Sequence, residues 1–201
     1  AGRRRAHARS PGRARAVTTP ELAARLSAIR LLTLDVDGVL TDGHVYVDDD
    51  GRETKAFYAP DGIGINLLQQ AGVTVALITG SSAPAVAHRA RRRRIEHVLQ
   101  GSDDKLPGWR TLVARLGIAP SACAHMGDDL PDLPLMRACG AAFSVAHAPA
   151  TVQHAAHYIA RMPAGAGAVR EVCELILGAR GVLAESLARF DGGRDRDARA
   201  S

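Results

Sequence analysis

The 201-residue chain, 46% apolar and 23% charged, is long enough for one ordinary domain with a sizeable core, and no apolar run approaches the roughly 18 residues that a membrane-crossing helix needs. Its formal charge of +5 invites a nucleic-acid partner, but residues 1–16 hold six arginines (Arg3, Arg4, Arg5, Arg9, Arg13 and Arg15) and no acid. The remainder carries 20 of the 26 basic residues against 21 acidic ones, a net of −1, so neither a nucleic-acid nor a membrane partner is expected for the body of the chain.

Residues 1–17 read as a disordered basic tail, because Arg, Ala, Gly and Pro cannot bury enough apolar surface to order themselves. The tail lacks the apolar centre of a secretory signal and resembles an organelle transit sequence only loosely; contact with a polyanion is the other account. Pro20 to Leu26 should form a short helix with Thr18 or Thr19 near its start. It leads into Leu31-Leu32-Thr33-Leu34-Asp35-Val36-Asp37-Gly38, an apolar run that reads as a buried strand delivering two carboxylates at its C-terminal end. Alternate residues of a strand face opposite ways, so a turn near Asp37, permitted by Gly38, is needed to bring both acids to one ligand. Taken alone, an edge strand with a solvated acidic turn explains this stretch equally well.

His44 to Val47 and Arg52 to Tyr58, joined through Asp48-Asp49-Asp50-Gly51, read as a hairpin over residues 44–58. The three aspartates lack the remaining ligand spacing of a calcium loop and suit a solvated turn. Gly62 to Ala71 has helical spacing and stops at Gly72. Val73 to Ile78 is a second buried strand, ending in Thr79-Gly80, a hydroxyl and a flexible backbone where a phosphate could be cradled. Ala83 to Arg94 reads as a helix with a very basic end, for which a solvated face is the simple account and a phosphate-rich ligand the other. After the short strand His97-Val98-Leu99 come Lys105, a helix from Leu106 to Leu116, and a third strand, Ala122 to Met126. That strand runs into Gly127-Asp128-Asp129-Leu130-Pro131-Asp132. A helix from Pro131 to Cys139, strands at Ala141–Val145 and His157–Ala160, and a long helix from Gly167 to about Phe190, broken near Gly178 or Gly181, complete the body. Residues 189–201 should fray as a flexible tail.

Strands alternating with helices predict an α/β fold, a Rossmann-like parallel sheet covered on both faces. Cys123, Cys139 and Cys173 are odd in number and lie in apolar segments, which suits free thiols in a reducing compartment. His125, His147, His154 and His157 do not form a metal constellation and read as packed or exposed residues, and no nucleophile-elbow pattern surrounds a serine.

The ordered set Asp35-x-Asp37-Gly38-Val39-Leu40-Thr41, strand-Thr79-Gly80, Lys105, and Gly127-Asp128-Asp129-x-x-Asp132 resembles the four motifs of the haloacid-dehalogenase superfamily of phosphohydrolases. From Ile29 to Gly181 the likeness narrows. Asp61-Gly62-Ile63-Gly64-Ile65 and Gly167-Ala168-Val169-Arg170-Glu171-Val172-Cys173 resemble the phosphatases acting on 3-deoxy-D-manno-octulosonate 8-phosphate, of lipopolysaccharide precursor synthesis.

The resemblance implies Asp35 as a nucleophile forming an aspartyl-phosphate, with Asp37 as the acid and then the base. It implies Mg2+ held by Asp35, the main-chain oxygen of Asp37, and Asp128, with Asp129 orienting the ligands and Asp132 holding Lys105. Thr79, Gly80 and Lys105 would meet the phosphoryl oxygens, and Asp61 and Arg170 the substrate, although a salt bridge on the last helix is the other account of Arg170. The intervals between motifs leave no room for a separate cap, so the resemblance implies a homotetramer in which hairpins join and neighbouring subunits close each site. A cytoplasmic enzyme with a small sugar-acid phosphate substrate is expected. Ser81 stands where many relatives have arginine, Pro163-Ala164-Gly165-Ala166-Gly167 departs from the usual glycine-rich segment, and Arg93-Arg94 replaces an apolar residue and glycine, so that helix is expected to end differently. Serine cannot grip a carboxylate bidentately as arginine can, which leaves a sialic-acid-type or broader sugar phosphate as the alternative substrate, and a non-catalytic oligomerisation module as the alternative class.

Overall fold

A computed structural model describes residues 19–190; the basic tail expected over 1–17 and the stretch from Asp191 onward lie outside them. Helix α1 (Pro20–Ser27) starts where Thr19 Oγ1 accepts the Leu22 N–H at 3.2 Å, and it turns Leu22 and Leu26 inward. Strand β1 (Leu31–Leu34) is buried throughout. A separate hairpin follows, β2 (Tyr46–Val47) against β3 (Glu53–Thr54), and then α2 (Ala59–Gln70). Strand β4 (Thr74–Thr79), α3 (Pro84–Arg92), β5 (His97–Gln100), α4 (Lys105–Leu116) and β6 (Cys123–Met126) continue the alternation. Beyond them lie α5 (Leu133–Ala138), β7 (Ala141–Val145), α6 (Ala150–Ala155), β8 (Tyr158–Ala160), α7 (Ala168–Ala179) and α8 (Leu183–Ala188).

Six strands form one parallel sheet in the order β5-β4-β1-β6-β7-β8. Leu31 pairs with Thr74 on one side and with Cys123 on the other, so β1 is central. Alternate residues face opposite layers. Leu32 and Leu34 enter a large cluster with residues of α1, α2 and α7, while Leu31 enters a smaller one built on Trp109, Leu112 and Val113 of α4. Both faces are therefore covered, as the near-continuous apolar runs of β1, β4 and β7 require. The chain leaves β1 in one direction through β4 and β5, then crosses to β6 on the other side. That reversal puts a crevice at the C-terminal ends of the central strands, where open α/β sheets take their ligands.

Several boundaries differ from expectation. Helix α2 begins at Ala59, three residues before Gly62, because Pro60 sits in its first turn where a missing N–H is harmless. The hairpin strands shrink to two residues each, all four of them exposed. Helix α6 was not expected; it is six residues long with Val152 as its one buried residue. The acidic run after β6 first forms a short 3-10 turn, Leu130–Asp132, before α5. The last helix, by contrast, breaks where it was expected to, between Ala179 and Leu183 with Gly181 at φ 74°. Helix α3 does end unusually: Arg94 has φ 54°, the one positive value among described non-glycine residues. Side chains are strained there.

Candidate active site

Four strand ends supply the cleft. Asp35 follows β1, with its N–H donating to the Met126 carbonyl of β6 at 3.0 Å. Thr79 and Gly80 close β4, Lys105 opens α4 just beyond β5, and Asp128 and Asp132 lie in the loop after β6. They line one cleft of about 440 Å³ together with Asp37, Lys55 and Ser81. Gly38 makes the crowding possible: its φ is +86°, and a Cβ there would lie 1.9 Å from Asp128 Oδ2.

Charge organises the interior. Lys105 Nζ lies 2.6 Å from Asp132 Oδ1 and 3.0 Å from Asp35 Oδ1. The other Asp132 oxygen accepts the backbone N–H groups of Asp128 at 3.1 Å and Asp129 at 3.3 Å. Burial opposes ionisation of Asp132, but hydrogen bonds from His125 and Lys105 outweigh it and hold the carboxyl down at about 2. Asp35 and Asp128 fare differently: burial first, then the neighbouring Asp132 charge, pushes each up to about 7. Lys105 loses to desolvation and gains more from Asp35 and Asp132, so its ammonium is held above the usual range.

Those two raised carboxyls mark a deficit of positive charge. Oxygens of Asp35, Asp128 and Asp132 lie within 4.8 Å of one another, the one such acidic grouping among the described residues. Asp132 is saturated by its donors, whereas buried Asp128 Oδ1 has no hydrogen-bond partner. An all-oxygen donor set with an unsatisfied carboxylate fits a hard divalent cation such as Mg2+.

The remaining expected residues divide. Thr79 is buried, with its Oγ1 accepting the Ser81 N–H at 3.1 Å, and a Cβ on Gly80 would meet Asp103 Oδ1 at 2.7 Å. Asp129 is exposed at the rim of the cleft, with its carboxylate accepting the Leu130 N–H at 2.8 Å. Asp61 and Arg170 do not reach the cleft. Asp61 is fully buried and its Oδ1 accepts the Arg170 N–H at 2.8 Å, so it caps α7 from α2; the Arg170 side chain pairs with Glu174. A cap needs an acceptor at a helix start, and Asp61 supplies it from 109 positions away. Ser81 uses its hydroxyl to accept the Ala83 N–H at 3.2 Å.

Sequence reasoning missed Lys55. It reaches from beside β3 to 2.6 Å from Asp37 Oδ1, with its side chain 2% exposed. The segment Lys55-Ala56-Phe57 also resembles those phosphatases, which was the available signal, but nothing in the sequence ties Lys55 to Asp37.

Residues 89–172 match the haloacid dehalogenase-like hydrolase family. The chain is 43% identical over 166 residues to the 3-deoxy-D-manno-octulosonate 8-phosphate phosphatase KdsC of Escherichia coli strain K12, spanning 83% of this chain and 88% of that one. It also resembles the 3-deoxy-D-manno-octulosonate 8-phosphate phosphatase of Moraxella catarrhalis, whose crystal structure holds magnesium, phosphate and KDO: TM-score 0.82, 43% identity, 84% of this chain and 97% of that one. The cobalt-bound deoxy-D-mannose-octulosonate 8-phosphate phosphatase of Haemophilus influenzae gives a TM-score of 0.78 at 34% identity, over 82% of this chain and 99% of that one.

Proposed function

This chain belongs to the haloacid dehalogenase-like hydrolases and is a phosphatase, and from that premise we propose that it releases phosphate from 3-deoxy-D-manno-octulosonate 8-phosphate in lipopolysaccharide precursor synthesis. The observation that carries the reading is the Lys105 ammonium 3.0 Å from Asp35 and bound to Asp132, beside an unsatisfied Asp128, in the crevice after the central strand. Relatives named for this substrate align over most of the chain.

Phosphoryl transfer asks for an in-line nucleophile and for positive charge on the equatorial oxygens. Asp35 attacks phosphorus through a carboxylate oxygen, giving an aspartyl-phosphate as the ester bond breaks. Asp37 gives its proton to the departing sugar oxygen, then takes one from the water that cleaves the acyl-phosphate, which returns Asp35 and frees orthophosphate. Lys105 and the Thr79 hydroxyl bind the transferring oxygens, with the Gly80 backbone alongside. Asp35, the Asp37 carbonyl and Asp128 would hold Mg2+, which supplies Lewis-acid charge neutralisation and keeps the Asp35 carboxylate ionised. Lys55 orients the Asp37 side chain.

The hairpin supports a homotetramer. Val45, Tyr46 and Val47 are 59%, 48% and 60% exposed on an isolated two-stranded sheet, which is marginal until it pairs with other copies. Light scattering of V45D/V47D should report monomers. Three free thiols among the described residues suit a cytoplasmic setting. Ser81, in place of a carboxylate-gripping arginine, favours as second reading a broader range of sugar phosphates, sialic-acid-type esters included. A phosphate-release screen over sugar phosphates with Mg2+ decides, with Asp35→Asn as control. The sugar-acid phosphate should give the highest kcat/KM; preference for simple hexose phosphates would select the second reading, and full activity in the control would defeat the nucleophile.

A further inference from the structure

His125 lies on β6 with no solvent exposure and does not line the cleft. Its ring nevertheless joins the cleft to the centre of the sheet. Nδ1 is 2.8 Å from Oγ1 of Thr33 on β1, and Nε2 is 3.1 Å from Asp132 Oδ1. That same oxygen accepts from Lys105 Nζ at 2.6 Å, and Nζ stands 3.0 Å from Asp35. Thr33, His125, Asp132, Lys105 and Asp35 form one polar chain, and its first three members are fully buried.

The proton arrangement in that chain is restricted. A carboxylate oxygen offers lone pairs only, so a bare Nε2 would set lone pair against lone pair in a dry interior. The Thr33 hydroxyl has one proton and two acceptors in reach, His125 Nδ1 and the Ala124 carbonyl at 3.0 Å. If it donates to Nδ1, the ring holds its hydrogen on Nε2. If it donates to Ala124, Oγ1 accepts from Nδ1–H while Nε2 still donates to Asp132. Either way Asp132 Oδ1 receives two donors from fixed directions, and Oδ2 receives two backbone N–H groups. Its carboxylate plane cannot rotate without losing several contacts. Lysine is a point charge on a flexible four-carbon stem, so the direction of Asp132 decides where Nζ sits.

We propose that His125 is a positioning residue: by donating from Nε2 it fixes the Asp132 carboxylate and, through it, the Lys105 ammonium on the side of Asp35 that a phosphoryl group must meet. This rests on the phosphatase reading above. It separates His125 from ordinary core packing, because an apolar residue of similar size would preserve packing and remove the donor.

Three variants of the full chain with Mg2+ test it: H125L, H125Q and T33V. Each is measured for kcat/KM on the best ester, for orthophosphate affinity by calorimetry, and for Tm. H125L should lose about 10- to 100-fold in both kcat/KM and orthophosphate affinity, the range typical of residues that orient a functional group from behind. H125Q, which keeps an amide donor, should recover most of that loss. T33V should lose about threefold to tenfold, the worth of one neutral hydrogen bond, and T33V/H125L should be no worse than H125L because both act along one chain. A folded H125L with parent affinity for orthophosphate and parent kcat/KM overturns the proposal, as does H125Q no better than H125L. Should H125L fail to fold, a T33V protein with both constants unchanged overturns it. A parent that hydrolyses no ester, yet binds orthophosphate more tightly than H125L, would refute the phosphatase reading and uphold His125; a parent that neither hydrolyses esters nor binds orthophosphate refutes both.

Discussion

Lys55 Nζ sits 2.6 Å from Asp37 Oδ1, so the hairpin that projects from the sheet also delivers a buried cation to the second acid of the cleft. Glu53 lies 3.4 Å from the same ammonium, so two carboxylates hold it. Lys55→Met should therefore lower turnover on an alkyl phosphate by about 100-fold, the scale of a misplaced catalytic group. The loss should be much smaller on p-nitrophenyl phosphate, whose leaving group departs without a proton. Equal losses on both esters would assign Lys55 to substrate binding and not to orientation of Asp37.

Metal removal has two readouts. Dialysis against EDTA should abolish phosphate release, and Mg2+ should restore it. In the same samples Mg2+ at about 100 times its Kd should add about 2.7 kcal/mol to unfolding stability, by mass action alone. Asp128→Asn should remain folded and lose most of that gain, because Asp128 Oδ1 has no protein partner to give up. Undiminished stabilisation in that variant would move the metal elsewhere.

Asp61→Ala should destabilise the protein by about 1–2 kcal/mol through loss of the α7 cap, with kcat and KM unchanged. The carboxylate is buried against the start of α7 and lines no part of the cleft. Urea unfolding beside steady-state kinetics separates this from a substrate contact, which would raise KM.

Glu171 ties α7 to β8 and the turn after it. Burial pushes its carboxyl up, but the Tyr158 hydroxyl, Arg161 and the Met162 N–H outweigh that and hold it below the ordinary glutamate value of 4.5. A carboxyl depressed in the folded state contributes stability that is complete above its unfolded value and disappears as pH falls through the folded one. Glu171→Gln should cost about 2 kcal/mol at pH 7, and the difference from the parent should shrink steadily below pH 4.5. Urea melts across pH 3 to 7 check the slope; a constant difference would show that the charge is irrelevant.

Strand ends were readable because apolar runs such as Leu31–Leu34 and Val75 to Ile78 meet acids, glycine or threonine where the strands stop. The contacts among those ends were not readable from spacing. Asp61 looks like a cleft residue from its neighbours in sequence, yet the requirement it meets belongs to a helix 109 positions later. Lys55 is 18 positions from Asp37 and His125 seven from Asp132, and the members of neither pair share a helix or strand, so no helical or strand period predicts their contact. Helix α6 escaped notice because Ala-Thr-Val-Gln-His-Ala buries only Val152 and shows no periodicity. The pairing of Lys105 with Asp132 was implied by the resemblance and not by spacing; the 3-10 turn at Leu130–Asp132 that presents the carboxylate is a local shape with no simple sequence signature.

The central place of β1 has a consequence during synthesis on the ribosome. Thr33 must wait for a partner 92 positions away, and Leu31 pairs with Thr74 before Cys123 exists. Such distant parallel pairings form slowly, and a nascent chain that stops short of β6 carries Asp35 without Asp128 or Asp132. An incomplete translation product of that length therefore lacks the assembled cleft and leaves the flank of β1 that β6 would cover without its partner.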